Sequence, residues 1–260
     1  MGYRLREIVT ESKFCQELSV EAISRVLPRE TIAAALEAEG LHTRRVRKMD
    51  LLLTILVVVG MNIYTYLSIG HVMQKMVRGL RFIWPDPTYE GIRDSAFSYR
   101  RYQLGARVMV RLFRYLCRPI AVPETKGAFL FGLRLMAIDG TVEDVPDTVA
   151  NEAAFGRHTG RAPAAFPQIR CIYLAECGTH VIVDAGCWPC HTSERVGGRR
   201  MLRSIQPGML VMWDRGFHEC GMIVAVQRRQ AHVLGRLPAH IKPQVVDRLA
   251  DGSYLAHLCP

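Results

Sequence analysis

The feature that most narrows the fold of this 260-residue chain is an apolar run that stops on a carboxylate. Met209-Leu-Val-Met-Trp213 sets five bulky residues in a row, and Asp214-Arg-Gly-Phe217 follows. Pro207-Gly208 punctuates the approach and Gly216 opens the exit. A short, continuously apolar run bounded by turn residues reads as a buried strand. In open α/β sheets the chemistry sits at the carboxyl edge of such strands. Asp is also a frequent helix cap, so Asp214 alone serves equally well to cap a helix starting near Phe217. A second run, Leu133-Arg-Leu-Met-Ala-Ile138, ends the same way in Asp139-Gly-Thr141. Two adjacent strands that end in Asp raise a divalent-metal site as a candidate, because hard cations take oxygen ligands.

Charge is distributed unevenly around that frame. The net is +10, yet residues 1–40 carry 5 basic and 7 acidic side chains, residues 41–120 carry 14 and 4, and residues 121–260 carry 15 and 13. The whole excess lies in the middle block, and a concentrated basic block suits a polyanion such as nucleic acid or anionic lipid. Arg44, Arg45, Arg47 and Lys48 form one cluster there. Arg107, Arg111, Arg114 and Arg118 form another at spacings of 4, 3 and 4, which sets four guanidinium groups on one helical stripe. Val108, Leu112 and Leu116 take a different face and can pack inward. Charge runs are usually solvated faces. However, four arginines with no interleaved acid repel one another unless a polyanion is present. These eight residues are the candidate nucleic-acid contacts.

The chain changes character near Pro119 and Pro123. Before them the pattern is helical: residues 16–27, 31–38, the apolar 51–61, 65–80, and the periodic 88–118. After them short β-rich runs appear at 131–138, 170–175 and 180–184, with Cys177-Gly178-Thr179 as a hairpin turn. A helix over 193–204, the Met209 strand, a helix over 217–229 and a strand over 232–237 follow. That order predicts an α/β domain over 121–260, a mixed sheet flanked by helices, preceded by an all-α basic domain over 1–120. The most apolar run, from Leu51 to Met61, is shorter than the roughly 20 residues a bilayer needs, so no membrane span is expected. Residues 1–13 carry charge from the start and no apolar signal core, which points to a reduced cytosolic setting for the eight cysteines.

Several blocks in order resemble the DDE transposases of bacterial insertion sequences, in the branch named after insertion sequence 4. They are Ala137-Ile-Asp139-Gly-Thr141, Asp147-Thr148, Asn151, Phe155-Gly156, Pro167-Gln168-Ile-Arg170, Ser193-Glu194-Arg195, Pro207-Gly208-Met-Leu210, Asp214-Arg-Gly-Phe217 and Asp251-Gly-Ser-Tyr254. Val26-Leu27-Pro28, Arg44-Arg45, Arg47-Lys48 and the segment from Arg100 to Gly105 resemble the helical N-terminal domain of that branch. The resemblance covers nearly the whole chain. It implies an RNase H-like catalytic domain, with Asp139 and Asp214 as the first two catalytic, metal-holding acids. It also implies Mg²⁺ (or Mn²⁺) as cofactor, the terminal repeats of an insertion sequence as DNA partner, a homodimer on paired ends, and a bacterial cytosolic or nucleoid location. The reaction implied is hydrolysis at the element's ends followed by strand joining.

The third acid of that family lies in a Tyr-x2-Arg-x3-Glu-x6-Lys arrangement, and this sequence does not contain it. The expectation is therefore a transposase truncated before its third acid, with a non-catalytic DNA-binding remnant as the alternative. Asp184, Glu194, Asp247 and Asp251 lack the family's context for that acid. Asp147 reads as a turn or cap residue, and Arg215 as a solvated loop residue. Cys187-Trp-Pro-Cys190-His191 fits redox and haem-attachment patterns, but a redox reading would leave the basic domain and the two aspartates unexplained.

Overall fold

A computed structural model describes residues 19–41, 49–84, 90–159 and 164–258. The cluster Arg44, Arg45, Arg47 and Lys48 lies outside the described residues. The chain divides into two compact units, Met1–Leu116 and Cys117–Pro260.

The described elements of the first unit are all helices: α1 (Val20–Val26), α2 (Arg29–Ala38), α3 (Leu51–Ile63), α4 (Ile69–Ile83), α5 (Asp94–Leu104) and α6 (Arg107–Leu116). Helix α3 is apolar on every side, and seven successive residues from Leu51 to Val57 are buried. A helix of that kind has to be central, since no face of it suits water. Asp50 starts it by accepting the Leu53 N–H at 2.7 Å, which satisfies one of the orphan donors of the first turn. The amphipathic α4 packs on it through Val72, Met73, Met76, Val77 and Leu80. Ser68 caps α4 by accepting the His71 N–H.

The residues read as one periodic segment over 88–118 form two helices. Gly105, at φ 65°, ends α5 in a conformation that glycine adopts cheaply. Helix α6 then stops at Leu116, so Arg118 lies beyond the helix that carries Arg107, Arg111 and Arg114. The expected four-residue stripe is therefore three residues long. The physical reason is Pro119, which disfavours helical geometry in the residue before it.

The second unit is built on a sheet ordered β4-β3-β2-β5-β6, with a short β1 added to β2. Its strands are β1 (Phe129–Leu130), β2 (Leu133–Asp144), β3 (Gln168–Glu176), β4 (Ile182–Pro189), β5 (Met209–Trp213) and β6 (His232–Gly235). Strands β2, β3 and β4 run antiparallel to one another, while β2, β5 and β6 run parallel. The unit also holds helices α7 (Val149–Phe155), α8 (Glu194–Met201) and α9 (Cys220–Gln227), and a separate hairpin of β7 (Gln244–Arg248) and β8 (Tyr254–His257). Its architecture is thus mixed α/β.

Several boundaries differ from the sequence reading: the strand expected over 180–184 is β4, which starts at Ile182 and runs on to Pro189, and the strand expected over 232–237 ends at Gly235. The strand expected over 131–138 begins later, because Phe131 (φ 52°) and Gly132 (φ 76°) form the two-residue turn between β1 and β2. It also runs on to Asp144, because its antiparallel neighbour β3 pairs with it along that whole length. The core of the unit joins Met136, Ile138, Ile172, Leu174, Val211 and Trp213 from the sheet with Met201, Phe217 and Met222 from the helical layer. Gly197 lets α8 approach the sheet closely: a Cβ there would lie 2.4 Å from Ile172 Cγ1.

Candidate active site at the sheet edge

Strand β5 is an interior strand, with β2 on one side and β6 on the other. Its apolar residues pack into the core, and the chain leaves the sheet at Asp214. The parallel ladder pairs Ala137 with Met212, two residues before Asp139 and two before Asp214. Asp139 and Asp214 therefore stand at one carboxyl edge of adjacent parallel strands, and both are exposed. Asp139 is not the last residue of its strand. It sits where the parallel pairing has ended while the antiparallel pairing with β3 continues, opposite Tyr173.

Both carboxylates make local backbone bonds. Asp139 Oδ1 accepts the Gly140 N–H at 2.8 Å, and Asp214 Oδ1 accepts the Gly216 N–H at 2.8 Å. The second bond caps a short 3-10 turn, Arg215–Phe217, so the capping role weighed for Asp214 is present in the fold. The longer helix expected from Phe217 starts later, at Cys220. Capping and metal holding are compatible, because an ionised carboxylate has about four acceptor sites and this bond takes one.

A third carboxylate approaches from α8. Glu194 lies in its first turn, and Arg170 on β3 donates from Nη1 to Glu194 Oε1 at 2.8 Å. The same guanidinium donates from Nε to the Cys190 carbonyl at 3.3 Å. Glu194 Oε2 lies 2.6 Å, and Asp214 Oδ1 3.0 Å, from the point a Cβ on Gly216 would occupy. Glu194 Oε1 lies 3.6 Å from the equivalent point on Gly140. The glutamate thus reaches between the residues that follow the two aspartates. Sequence spacing could not show this, since it depends on α8 returning across the sheet. The available signal was an acid opening a helix directly after the edge strand β4.

Other candidates resolve differently. Asp147 pairs at 2.5 Å with Arg157, which also holds Glu152, so its partner is a local arginine. Asp184 is buried beneath Arg203 and Ser204, away from solvent. Cys187 faces Cys171 across the β3–β4 ladder, with the sulfur atoms 3.5 Å apart. Among the described residues no group of three or more His, Cys, Asp or Glu side chains is arranged to enclose a metal ion. No described helix is long and apolar enough to cross a membrane.

In the first unit, Arg107 and Arg114 are exposed on α6. Arg111 is not available in the same way: its Nε donates to Glu39 Oε1 at 2.7 Å, from the end of α2. That acid is the charge missing from the arginine run itself, supplied from far away in the chain.

Comparison with known proteins follows the same division. The family model for the insertion element 4 transposase N-terminal domain matches residues 17–114. The transposase InsG of insertion sequence element IS4 from Escherichia coli K12 is 26% identical over 235 residues, covering 89% of this chain and 52% of InsG. A second protein of that strain, InsZ, is 25% identical over 147 residues, covering 56% of this chain and 49% of InsZ. The chain therefore spans about half the length of these relatives. A piggyBac transposase synaptic complex with hairpin DNA aligns over 88% of this chain and 53% of its own, at 10% identity and a TM-score of 0.43, a likeness too slight to establish a shared fold.

Proposed function

We propose that this chain, which belongs to the insertion sequence 4 family of transposases, carries the DNA-binding part and two catalytic acids of an enzyme that cleaves and joins DNA at insertion-sequence ends. The observation that carries this reading is the parallel register of β2 and β5, which brings Asp139 and Asp214 to one edge. The strand order, three antiparallel strands continued by two parallel ones, supports an RNase H-like sheet.

The donor set suits Mg²⁺ or Mn²⁺: Asp139 and Asp214 are both exposed carboxylates, and hard cations take oxygen ligands. Asp139 and Asp214 would hold the cation. When bound, it lowers the pKa of an attacking water and stabilises charge on the phosphate oxygens. The chain's own part is positional. The paired ladder fixes both aspartates on rigid strands, and the bonds to Gly140 and Gly216 restrict their rotation. Arg107, Arg114 and Arg118, together with Arg44, Arg45, Arg47 and Lys48, would neutralise phosphates of the terminal repeats. A homodimer on paired ends in the bacterial cytosol completes the reading.

The test is nicking of a supercoiled plasmid that bears the element's ends, with Mg²⁺ or Mn²⁺ supplied. Asp139→Asn and Asp214→Asn are each expected to lower the rate about 10³-fold or more. A nicking activity that survives both substitutions refutes the assignment. One observation favours a second reading: the sequence lacks the family's Tyr-x2-Arg-x3-Glu-x6-Lys arrangement. If the intact chain retards end-containing DNA but never nicks it, the chain is a non-catalytic binder of element ends.

A further inference from the structure

We propose that Cys171 and Cys187 form a thiol–disulfide exchange site, which reacts with low-molecular-weight disulfides and closes a reversible bond between β3 and β4. The inference goes beyond the two-aspartate reading and does not rest on it. The C-x-x-C spacing of the sequence points to Cys187 and Cys190, but the fold gives Cys187 a different partner. Cys190 is buried, and its sulfur lies 3.6 Å from the point a Cβ on Gly156 would occupy. Cys171 is instead the register partner of Cys187 in the antiparallel ladder, with the two sulfur atoms in contact at 3.5 Å.

Directly opposed residues of antiparallel strands have Cα atoms about 4.5–5.5 Å apart. A disulfide accepts about 4.4–6.8 Å, so the backbone spacing of such a pair already suits the bond. The sulfurs have to close from 3.5 Å to about 2.05 Å, which side-chain rotation can supply. The two thiols differ in access, since Cys187 is exposed and Cys171 is buried. That difference sets the order of events. The Cys187 thiolate attacks one sulfur of the small disulfide, and the first thiolate leaves and takes up the proton that Cys187 lost. Cys171 then loses its proton and attacks the Cys187 sulfur, and the second small thiolate leaves and takes up that proton. Two protein thiols are oxidised to one disulfide, and one small disulfide is reduced to two thiols. The Cys187 sulfur lies against Cys171, and this partial burial, with the Cys171 sulfur and the Glu143 carboxylate, pushes its thiol up to about 11. Exchange is therefore slow near neutral pH, because the thiolate is the nucleophile.

The experiment is incubation of the intact chain with oxidised glutathione under mildly alkaline conditions, then an acid quench, alkylation and peptide mapping by mass spectrometry. Cleavage after Glu176 and Asp184 places Cys171, Cys177 and Cys187 in different peptides. The wild-type chain is expected to yield the Cys171 peptide joined to the Cys187 peptide, and dithiothreitol to separate them. Cys171→Ser removes the resolving thiol, so the glutathione adduct of Cys187 is expected to accumulate about 10-fold or more above its wild-type level. Cys187→Ser removes the accessible thiol and is expected to slow oxidation of Cys171 about 10-fold or more. Cys190→Ser is expected to leave the Cys171–Cys187 bond forming as before. Far-UV circular dichroism checks that each variant is folded, and the wild-type map alone decides if a serine variant is not. A wild-type adduct that persists on Cys187 without closing, Cys171 joined to Cys177, or no reaction of either thiol overturns the site.

Discussion

The two units treat charge in opposite ways. The helical unit is organised around α3, whose buried face is almost wholly apolar, and its described ion pairs, Arg25–Glu21 and Arg111–Glu39, reach solvent. The sheet unit buries carboxylates. Glu176 is fully buried and takes N–H groups of Ile120 and Ala121, the Thr179 hydroxyl and the guanidinium of Arg134. Asp184 is buried with Arg203 and Ser204. An apolar core tolerates acid, since its buried side chains include no carboxylate or imidazole. A core with buried ion pairs depends on every partner being present and ionised.

That contrast can be broken or sharpened in three ways. The largest effect is expected from single core substitutions. Asp184→Asn strands Arg203 and should cost the sheet unit about 3 kcal/mol, read by urea denaturation with a probe in each unit. Leu53→Ala should cost the helical unit about 2–5 kcal/mol through a cavity. A substitution in one unit that melts both together would show the two cores to be one cooperative structure.

Acid provides a sharper contrast. Burial alone would raise both carboxyls. For Glu176 the Thr179 hydroxyl and the Ala121 and Ile120 N–H groups outweigh it, and for Asp184 Arg203 and Ser204 do so, leaving both below their ordinary values of 4.5 and 3.8. A carboxyl depressed in the folded state contributes stability that is whole above its unfolded value and is lost as pH falls through the folded one. Protection of amides in β3 and β4 peptides, corrected for the intrinsic exchange rate, is therefore expected to fall as pH drops below about 4, ahead of peptides from α3. Earlier loss in α3 would reverse the comparison.

The smallest effects distinguish the arginines of α6. Arg107→Ala and Arg114→Ala should leave stability unchanged and each lower the salt slope of DNA binding by about 1. Arg111→Ala should instead lower stability slightly, as expected for a pair that reaches solvent. An equal loss of salt slope at Arg111 would mean that it leaves Glu39 when DNA binds.

What the sequence disclosed follows the range of the interaction involved. The central helix was legible because an unbroken apolar run allows little else, and its observed bounds, Leu51–Ile63, follow from Asp50 and the run itself. The β5 strand was legible from five bulky residues between turn signals. The register that aligns Asp139 with Asp214 was not, because periodicity reports the face of a strand and never its neighbour. The same holds for Arg111, whose partner Glu39 comes from another helix, and for Glu194, whose place depends on how α8 folds back. The early end of α6 could have been read, since Pro119 stands three residues beyond Leu116.

Strands β2 and β5 lie far apart in the chain, with β3, β4 and α8 formed between them. Pairing at such distance is slow to find, because the intervening chain must first be brought into a loop. The edge that gathers the acids therefore cannot exist in a nascent or half-folded molecule. A polypeptide still emerging from the ribosome carries Asp139 with no partner strand, and the shared edge with Asp214 forms only once the sheet has been completed.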